Sequence, residues 1–199
     1  MITPTTEPFF FPGNKIGCLL THGFTGAPKE MRWMGEYLAE QGFSVLGVRL
    51  AGHATNPDEM IRTRYIDWIH SVEDGYHLLK GVADRVVLVG LSMGGALSLL
   101  MASKLDVAGV FAMSTPYRLT DPRIKFAKIF SPFVKYMPKS GNEPGSGWLD
   151  KESWEDHISY PKNPVRSAVE IAALLDEMRA TLPKVKVPTL LAHSRNDSY

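Results

Sequence analysis

The chain has 199 residues, a single cysteine and a formal net charge of +1, and this length fits one globular domain. With 44% hydrophobic and 22% charged residues, its composition excludes a disordered or collagen-like chain. Lys and Arg together number 22 against 21 Asp and Glu, so there is no overall positive field to attract nucleic acid. These figures favour a packed domain of enzyme size, and its function has to be inferred from local motifs.

The cysteine and the N-terminus carry no redox or targeting signal. Cys18 lies in an apolar run and has no second cysteine to pair with, so we expect a buried, inert thiol. The first residues lack the basic and apolar segments of a secretory signal, and no apolar stretch reaches the roughly 20 residues that span a bilayer. We therefore expect a soluble, cytoplasmic protein without stable membrane insertion.

Short apolar runs alternate with amphipathic segments along the chain. Apolar residues on successive positions predict strands that are covered on both faces, at 16–20, 43–48, 86–89, 107–113 and 187–192. Apolar residues at helical spacing predict helices between them, at 28–41, 66–79 and 165–182. Strand followed by helix, repeated, indicates an α/β fold with a mostly parallel sheet and helices on both of its faces.

One segment, residues 117–162, interrupts this alternation. It is too long for an ordinary connection between a strand and a helix, and it is rich in proline and glycine. A helix bent near Pro132 is predicted inside it, with one apolar side formed by Ile124, Ala127, Phe130, Val134 and Met137. We predict a small cap at 117–162, inserted into a core of residues 1–116 and 163–199. A surface excursion with its own minor core is the alternative.

The clearest chemical motif lies where the predicted strand 86–89 runs into a helix. There the pattern Gly90-x-Ser92-x-Gly94 predicts a sharp turn, because glycines on both sides of the serine remove side chains that would collide. Such a turn holds the serine in a strained conformation and lifts its hydroxyl above the sheet. Ser92 is therefore the candidate nucleophile.

Two backbone amides are predicted to bind the negative charge that develops on an attacked carbonyl oxygen. One is the amide of Met93, which follows the serine and begins the helix. The other is the amide of Phe24, in the glycine-rich loop His22-Gly23-Phe24-Thr25-Gly26 after the first predicted strand. The alternative for this loop is a simple turn before the next helix.

These motifs, together with Arg-Leu-Ala-Gly-His at 49–53 and His-Ser-Arg-Asn-Asp at 193–197, resemble the α/β-hydrolase superfamily in its bacterial carboxylesterase and monoacylglycerol lipase branch. The similarity covers nearly the whole chain. It implies that Ser92 is the nucleophile, that Phe24 and Met93 form the oxyanion hole, and that Asp197 is the acid of the catalytic triad. It also implies hydrolysis of a carboxylic ester with a hydrophobic acyl chain, held under the cap by the candidate lining residues Ile124, Phe130, Val134 and Met137.

The triad base has no match in the printed sequence. The superfamily order is Ser, Asp, His, and no histidine follows Asp197. Of the six histidines, His22 and His53 are expected to brace loops, His157 is expected to face solvent, and His193 is expected to lie two strands from the serine, roughly 9 to 10 Å away. We expect the base, one more strand and one more helix outside these 199 residues, so the chain as given is expected to be nearly inactive. A hydrolase-like module that binds an acyl ligand without turnover is the alternative.

No metal or cofactor is expected. Four polar residues share one side of a predicted helix, His70, Glu73, Asp74 and His77. Two histidines seven residues apart are about 10.5 Å apart along the helix axis, too far to bind one zinc ion, so a solvated helix face is favoured. The sequence has no phosphate-binding loop and no dinucleotide fingerprint. The expected partner is a small-molecule ester or monoacylglycerol, and not a nucleic acid.

Overall fold

A six-stranded sheet lies at the centre of the computed structural model, which describes residues 1–121, 124–139 and 150–195. The strands of this sheet, in chain order, are β1 (Phe9–Phe11), β2 (Ile16–Thr21), β3 (Ser44–Val48), β4 (Arg85–Leu91), β5 (Gly109–Met113) and β8 (Thr189–Ala192). Their spatial order is β1-β3-β2-β4-β5-β8, with β1 antiparallel to β3 and all other neighbours parallel. Strands β6 (Tyr136–Pro138) and β7 (Lys162–Pro164) form a separate antiparallel pair.

Helices cover the sheet on both faces. They are α1 (Arg32–Glu40), α2 (Pro57–Arg62), α3 (Tyr65–Lys80), α4 (Met93–Ala102), α5 (Ile124–Phe130), α6 (Lys151–Asp156) and α7 (Val165–Thr181). The larger core cluster joins α3, α4 and α7 to sheet residues such as Leu19 and Leu88. The smaller cluster lies on the opposite face, where α1 and the preceding 3-10 turn Pro28–Met31 pack on Leu20 and Val89. The α/β fold with a mostly parallel sheet is thus confirmed.

The five predicted strands are all present. Four of them, β2 to β5, bury apolar residues on successive positions and so need cover on both faces, whereas β8 lies at the sheet edge with all four of its residues exposed. Their ends differ from the prediction by a few residues. Cys18 is buried in the smaller core cluster as a free thiol, as expected. The antiparallel strand β1 and the helix α2, whose first turn is capped by Asn56, were not predicted because both are very short.

The prediction of a bent helix at 124–137 is wrong for the second half of this segment. Helix α5 ends at Phe130, two residues before Pro132, which has no amide to donate to the helix. Met137 instead lies in β6, paired with Asn163 of β7. A pairing partner 26 residues further along the chain therefore decides this conformation, and no local pattern could reveal it.

The predicted cap segment 117–162 includes α5, β6 and α6 among the described residues, and α5 packs on α7 of the core. Its residues 122–123 and 140–149 lie outside the described ranges. Strand β8 forms one edge of the large sheet, and its Leu190 and Leu191 side chains are exposed. Across the described ranges, no helix has both the length and the apolar character required to traverse a bilayer.

Candidate active site

Ser92 lies at the sharp turn between β4 and α4, with φ 55° and ψ −117°. Residues other than glycine rarely adopt this backbone conformation. A Cβ atom on Gly90 would lie 2.1 Å from the carbonyl oxygen of Gly94, and a Cβ atom on Gly94 would lie 2.1 Å from the carbonyl oxygen of Thr21. The turn therefore tolerates only glycine at both positions, and this explains the two glycines of the Gly-x-Ser-x-Gly pattern.

The loop at 22–26 lies beside this turn. Strands β2 and β4 are parallel neighbours, with Thr21 opposite Gly90, so the loops that follow their carboxyl ends meet at one edge of the sheet. A Cβ atom on Gly23 would lie only 3.5 Å from the Cβ of Ser92. The tertiary structure thus brings together the two motifs that the sequence analysis singled out 70 residues apart.

The direction of the Phe24 amide follows from its peptide unit. The carbonyl oxygen of Gly23, in the same unit, accepts hydrogen bonds from His22 Nδ1 at 2.9 Å and from the amide of Gly26 at 3.3 Å. In a trans peptide the N–H points opposite to the C=O, so the Phe24 N–H is directed away from both of these groups. Within the described ranges, neither the Phe24 amide nor the Met93 amide donates a hydrogen bond to the protein. Both amides are therefore available to a ligand.

His22 and His53 are fully buried and hold loops together. His22 Nδ1 donates to the Gly23 carbonyl while Nε2 accepts from the Leu50 amide at 3.2 Å, which fixes the neutral tautomer. Burial lowers the pKa of His22 to about 4, and burial also holds the pKa of His53 well below its usual value. His53 Nδ1 donates to the Ala51 carbonyl at 3.1 Å. Both rings thus brace loops and stay uncharged near neutral pH.

A cavity of about 990 Å³ opens over the turn and is lined by Ser92, Phe24 and Met93. Most of its remaining wall is apolar, with contributions from Leu119, Ile124, Met137, Ile158, Ala168 and Ile171. Polar side chains also line it, among them Lys29, Glu30, Lys139, Asp156 and His157. The volume and the lining suit a ligand with an extended apolar part.

Two of the four predicted lining residues lie at this cavity and two do not. Ile124 and Met137 line it. Phe130 and Val134 do not line it, and they expose 54% and 44% of their surface instead. For Val134 the reason is that α5 ends at Phe130, so the predicted helical spacing stops before Val134. The assignment of Phe130 and Val134 is therefore corrected.

Three further predictions concern the triad. Asp197 lies outside the described residues. His193 follows β8, and β5 lies between β8 and β4, so His193 stands two strands from Ser92 as expected. His157 does not face solvent: it lines the cavity, its side chain is only 23% exposed, and its Nε2 lies 3.7 Å from Glu30 Oε1. The expectation for His157 was wrong because α6 docks on the turn before α1, with Lys29 paired to Asp156.

Two charged residues that were not predicted from the sequence, Glu30 and Lys139, form hydrogen bonds with the loop at 22–26. Glu30 Oε2 accepts from the Gly23 amide at 2.9 Å, and Lys139 Nζ donates to Thr25 Oγ1 at 3.1 Å. No motif marks either residue, since a glutamate in the first turn before a helix is ordinary. Over the described ranges, no group of three or more His, Cys, Asp or Glu side chains is arranged to hold a metal ion.

Comparison with known proteins agrees with this fold. The family profile described as serine aminopeptidase, S33, matches residues 14–199. The thermostable monoacylglycerol lipase of Bacillus sp. (strain H-257) is 33% identical over 192 residues, covering 96% of this chain and 74% of the lipase. The carboxylesterase of Bacillus subtilis (strain 168) is 28% identical over 194 residues, covering 97% of this chain and 76% of the esterase.

Among solved structures, one from work on the metagenome-derived lipolytic enzymes LipS and LipT superposes with a TM-score of 0.87 at 29% identity. The match covers 98% of this chain and 78% of that one. Together these findings define a carboxylic ester hydrolase of the α/β-hydrolase fold, in the bacterial esterase and lipase branch. The chain belongs to the serine aminopeptidase S33 family.

Proposed function

We propose that this protein hydrolyses carboxylic esters with a hydrophobic acyl chain, such as monoacylglycerols, through an acyl-enzyme on Ser92. The observation that carries the proposal is the shared cavity: a strained serine lines the same apolar space as Phe24 and Met93, whose amides donate no hydrogen bond within the part of the protein that the structure describes. The names of the two Bacillus relatives, a monoacylglycerol lipase and a carboxylesterase, support the same substrate class.

The proposed reaction has two halves. In the first, Ser92 Oγ attacks the ester carbonyl and gives up its proton to a base, while the amides of Phe24 and Met93 bind the oxyanion. The intermediate then collapses, the alcohol leaves with that proton, and an acyl-serine remains. In the second half, water attacks the acyl-serine in the same way, releasing the carboxylic acid and restoring the serine.

The apolar part of the cavity wall is proposed to hold the acyl chain. Ile124 and Met137 come from segment 117–162 and line the cavity together with Ala168 and Ile171 of α7. This arrangement supports a division into a core of residues 1–116 and 163–199 and a cap at 117–162. Burying an acyl chain against this wall contributes about 0.8 kcal/mol for each methylene removed from water.

The general base is proposed to be a histidine oriented by Asp197. His22 and His53 are committed to loop contacts, and His193 stands two strands from Ser92. His157 lines the cavity and approaches Glu30 with its Nε2. Because a serine hydroxyl is hardly ionised at neutral pH, turnover by residues 1–199 alone is expected to be very slow.

Esterase assays with p-nitrophenyl butyrate and p-nitrophenyl decanoate test this proposal on two proteins. One is expressed from the complete reading frame and the other consists of residues 1–199. We expect turnover in the first and little in the second. Equal rates would overturn the proposed base, and His157→Gln in the shorter protein then tests whether His157 takes its place.

Labelling with a fluorophosphonate separates a hydrolase from a module that only binds acyl ligands. The probe forms a bond from phosphorus to the serine oxygen and releases fluoride, so it reports a reactive serine directly. We expect label on Ser92 in the complete protein, identified by mass spectrometry, and none in Ser92→Ala. Ser131→Ala, at a half-buried serine that does not line the cavity, is the matched control. An unlabelled wild-type protein would contradict the proposal.

A further inference from the structure

The Glu30 carboxylate reaches back from the 3-10 turn into the loop at 22–26. Its Oε2 accepts a hydrogen bond from the Gly23 amide at 2.9 Å. The side chain is only 10% exposed. A hydrogen bond from an amide to a buried carboxylate is roughly twice as strong as one between neutral groups, so this contact fixes the His22–Gly23 peptide unit firmly.

The other end of the loop is shaped around the same carboxylate. A Cβ atom on Gly26 would lie 2.2 Å from Glu30 Oε1, well inside the contact distance of the two atoms. Gly26 is not one of the glycines with positive φ, so the backbone conformation itself does not demand glycine there. A residue with a Cβ atom at this position would therefore have to displace the Glu30 carboxylate.

We propose that Glu30 is a positioning residue of the oxyanion hole, which holds the Phe24 amide towards the reacting carbonyl without touching the substrate. The inference rests on the proposed function, in which that amide binds the oxyanion. Glu30 fixes the peptide unit before Gly23, and the His22 ring fixes the carbonyl of the unit that carries the Phe24 N–H. With both units held, the Phe24 N–H keeps one direction before substrate arrives, which is the condition for strong oxyanion binding.

The cap segment holds the outer side of the same loop. Lys139 Nζ donates to Thr25 Oγ1 at 3.1 Å and to Ser159 Oγ at 2.7 Å. The Tyr160 amide donates to the Thr25 carbonyl at 3.0 Å. Thr25 itself has φ 61°, so its backbone conformation is one that needs such support. The loop is thus clamped between Glu30 on the core side and residues 139 and 159–160 on the cap side.

Charges from both sides act on Glu30. Burial raises the pKa of its carboxyl to about 7, while the Gly23 hydrogen bond and the positive charge of Lys139 act in the opposite direction. From the cap, His157 Nε2 lies 3.7 Å from Glu30 Oε1, and the Lys29–Asp156 ion pair lines the same cavity. The negative charge of the Glu30 carboxylate would repel an oxyanion bound nearby. The positive charge of Lys139 reduces this repulsion.

Steady-state kinetics on the protein from the complete reading frame test the proposal. We expect Glu30→Ala to lower kcat by about 10- to 100-fold, the size of a weakened oxyanion contact, with KM changed less than about threefold. Glu30→Gln keeps an acceptor oxygen of the same shape and is expected to recover most of the lost kcat. Glu36→Ala, at an exposed glutamate of α1, is the matched control for helix and charge effects. A wild-type kcat in Glu30→Ala would overturn the inference.

A second measurement needs no turnover and can use residues 1–199. In ¹⁵N–¹H spectra, the Gly23 amide proton is expected to follow one titration with a midpoint near 7, and this titration is expected to disappear in Glu30→Gln. A Gly23 amide that is insensitive to pH in the wild type would also overturn the inference. Failure of the proposed function is distinguishable, because it shows as turnover or labelling that persists in Ser92→Ala.

Discussion

The backbone amide of Ser92 donates to the carbonyl oxygen of Met113 at 2.8 Å, which ties the turn after β4 to the last residue of β5. On the other side, the amides of Gly95 and Ala96 donate to the Ser92 carbonyl and start α4. A conformation that costs on the order of 1 to 3 kcal/mol thus persists because the neighbouring strand and helix hold both ends of the residue.

This strain predicts that Ser92→Gly is more stable than Ser92→Ala. Both variants lack the hydroxyl and are expected to be inactive. Glycine adopts φ 55° without a Cβ clash, whereas alanine keeps the clash, and we expect a difference of about 1 kcal/mol in the free energy of unfolding after the greater entropy of unfolded glycine is subtracted. Urea denaturation of the two variants measures it. If Ser92→Ala is instead the more stable variant by about 0.4 to 1 kcal/mol, which is the entropy difference alone, the turn stores no strain.

The contact between Gly26 and Glu30 predicts that two substitutions will not be additive. Gly26→Ala alone is expected to push the Glu30 carboxylate away from Gly23 and to lower kcat by about as much as Glu30→Ala does. In the Glu30→Ala background, the methyl group at 26 has space, so it is expected to cost little more. Kinetics on the wild type, the two single variants and the double variant form the cycle. Additive losses would mean that residue 26 acts through some other contact.

Burial of ionisable groups predicts a stability profile with two opposing contributions. The pKa of His22 is about 4 in the folded chain against 6.5 in the unfolded chain. Between these two pH values only the unfolded chain takes up the proton, so the free energy of unfolding decreases as pH falls from 6.5 to 4. His53, whose pKa is also lowered by burial, acts in the same direction. The pKa of Glu30 is about 7 against 4.5 unfolded, so its contribution is lost as pH rises from 4.5 to 7.

Glu30→Gln removes only the second of these contributions. We therefore expect it to be more stable relative to the wild type at pH 8 than at pH 5, since each pKa unit is worth about 1.4 kcal/mol. Urea unfolding of both proteins at pH 5, 6, 7 and 8 provides the comparison. If the difference between the two proteins does not change with pH, Glu30 is not titrating in this range.

The corrected cavity wall predicts which cap residues set the acyl-chain preference. Ile124→Trp fills space beside the cavity, so kcat/KM is expected to fall by about 10-fold or more for p-nitrophenyl decanoate, with a much smaller change for the butyrate. Phe130→Trp, on the same helix but exposed, is expected to leave the ratio of the two substrates unchanged. Equal effects of both substitutions would show that Ile124 does not contact the chain.

The sequence predicted much of the fold because local rules are strong in an α/β domain. Runs of apolar residues on successive positions predicted five strands. The turn at Ser92 was predicted from two glycines, and the structure shows that their missing Cβ atoms leave room for backbone oxygens. The same reasoning failed inside segment 117–162. There, Met137 joins β6 through a partner at 163, and helical spacing beyond Pro132 carried no information about that contact.

The candidate site therefore depends both on local sequence patterns and on contacts that form only in the tertiary structure. The succession of five strands along the chain, the turn at Ser92 and the glycine loop were predicted from the sequence itself, because local patterns and backbone sterics act mainly between residues that are close along the chain. Only the tertiary structure decided that Glu30 holds Gly23, that His157 turns towards Glu30, and that Lys139 reaches Thr25. Those contacts join residues that have no pattern in common, and they exist because packing brings Lys139 and His157 to the cavity at the carboxyl ends of β2 and β4.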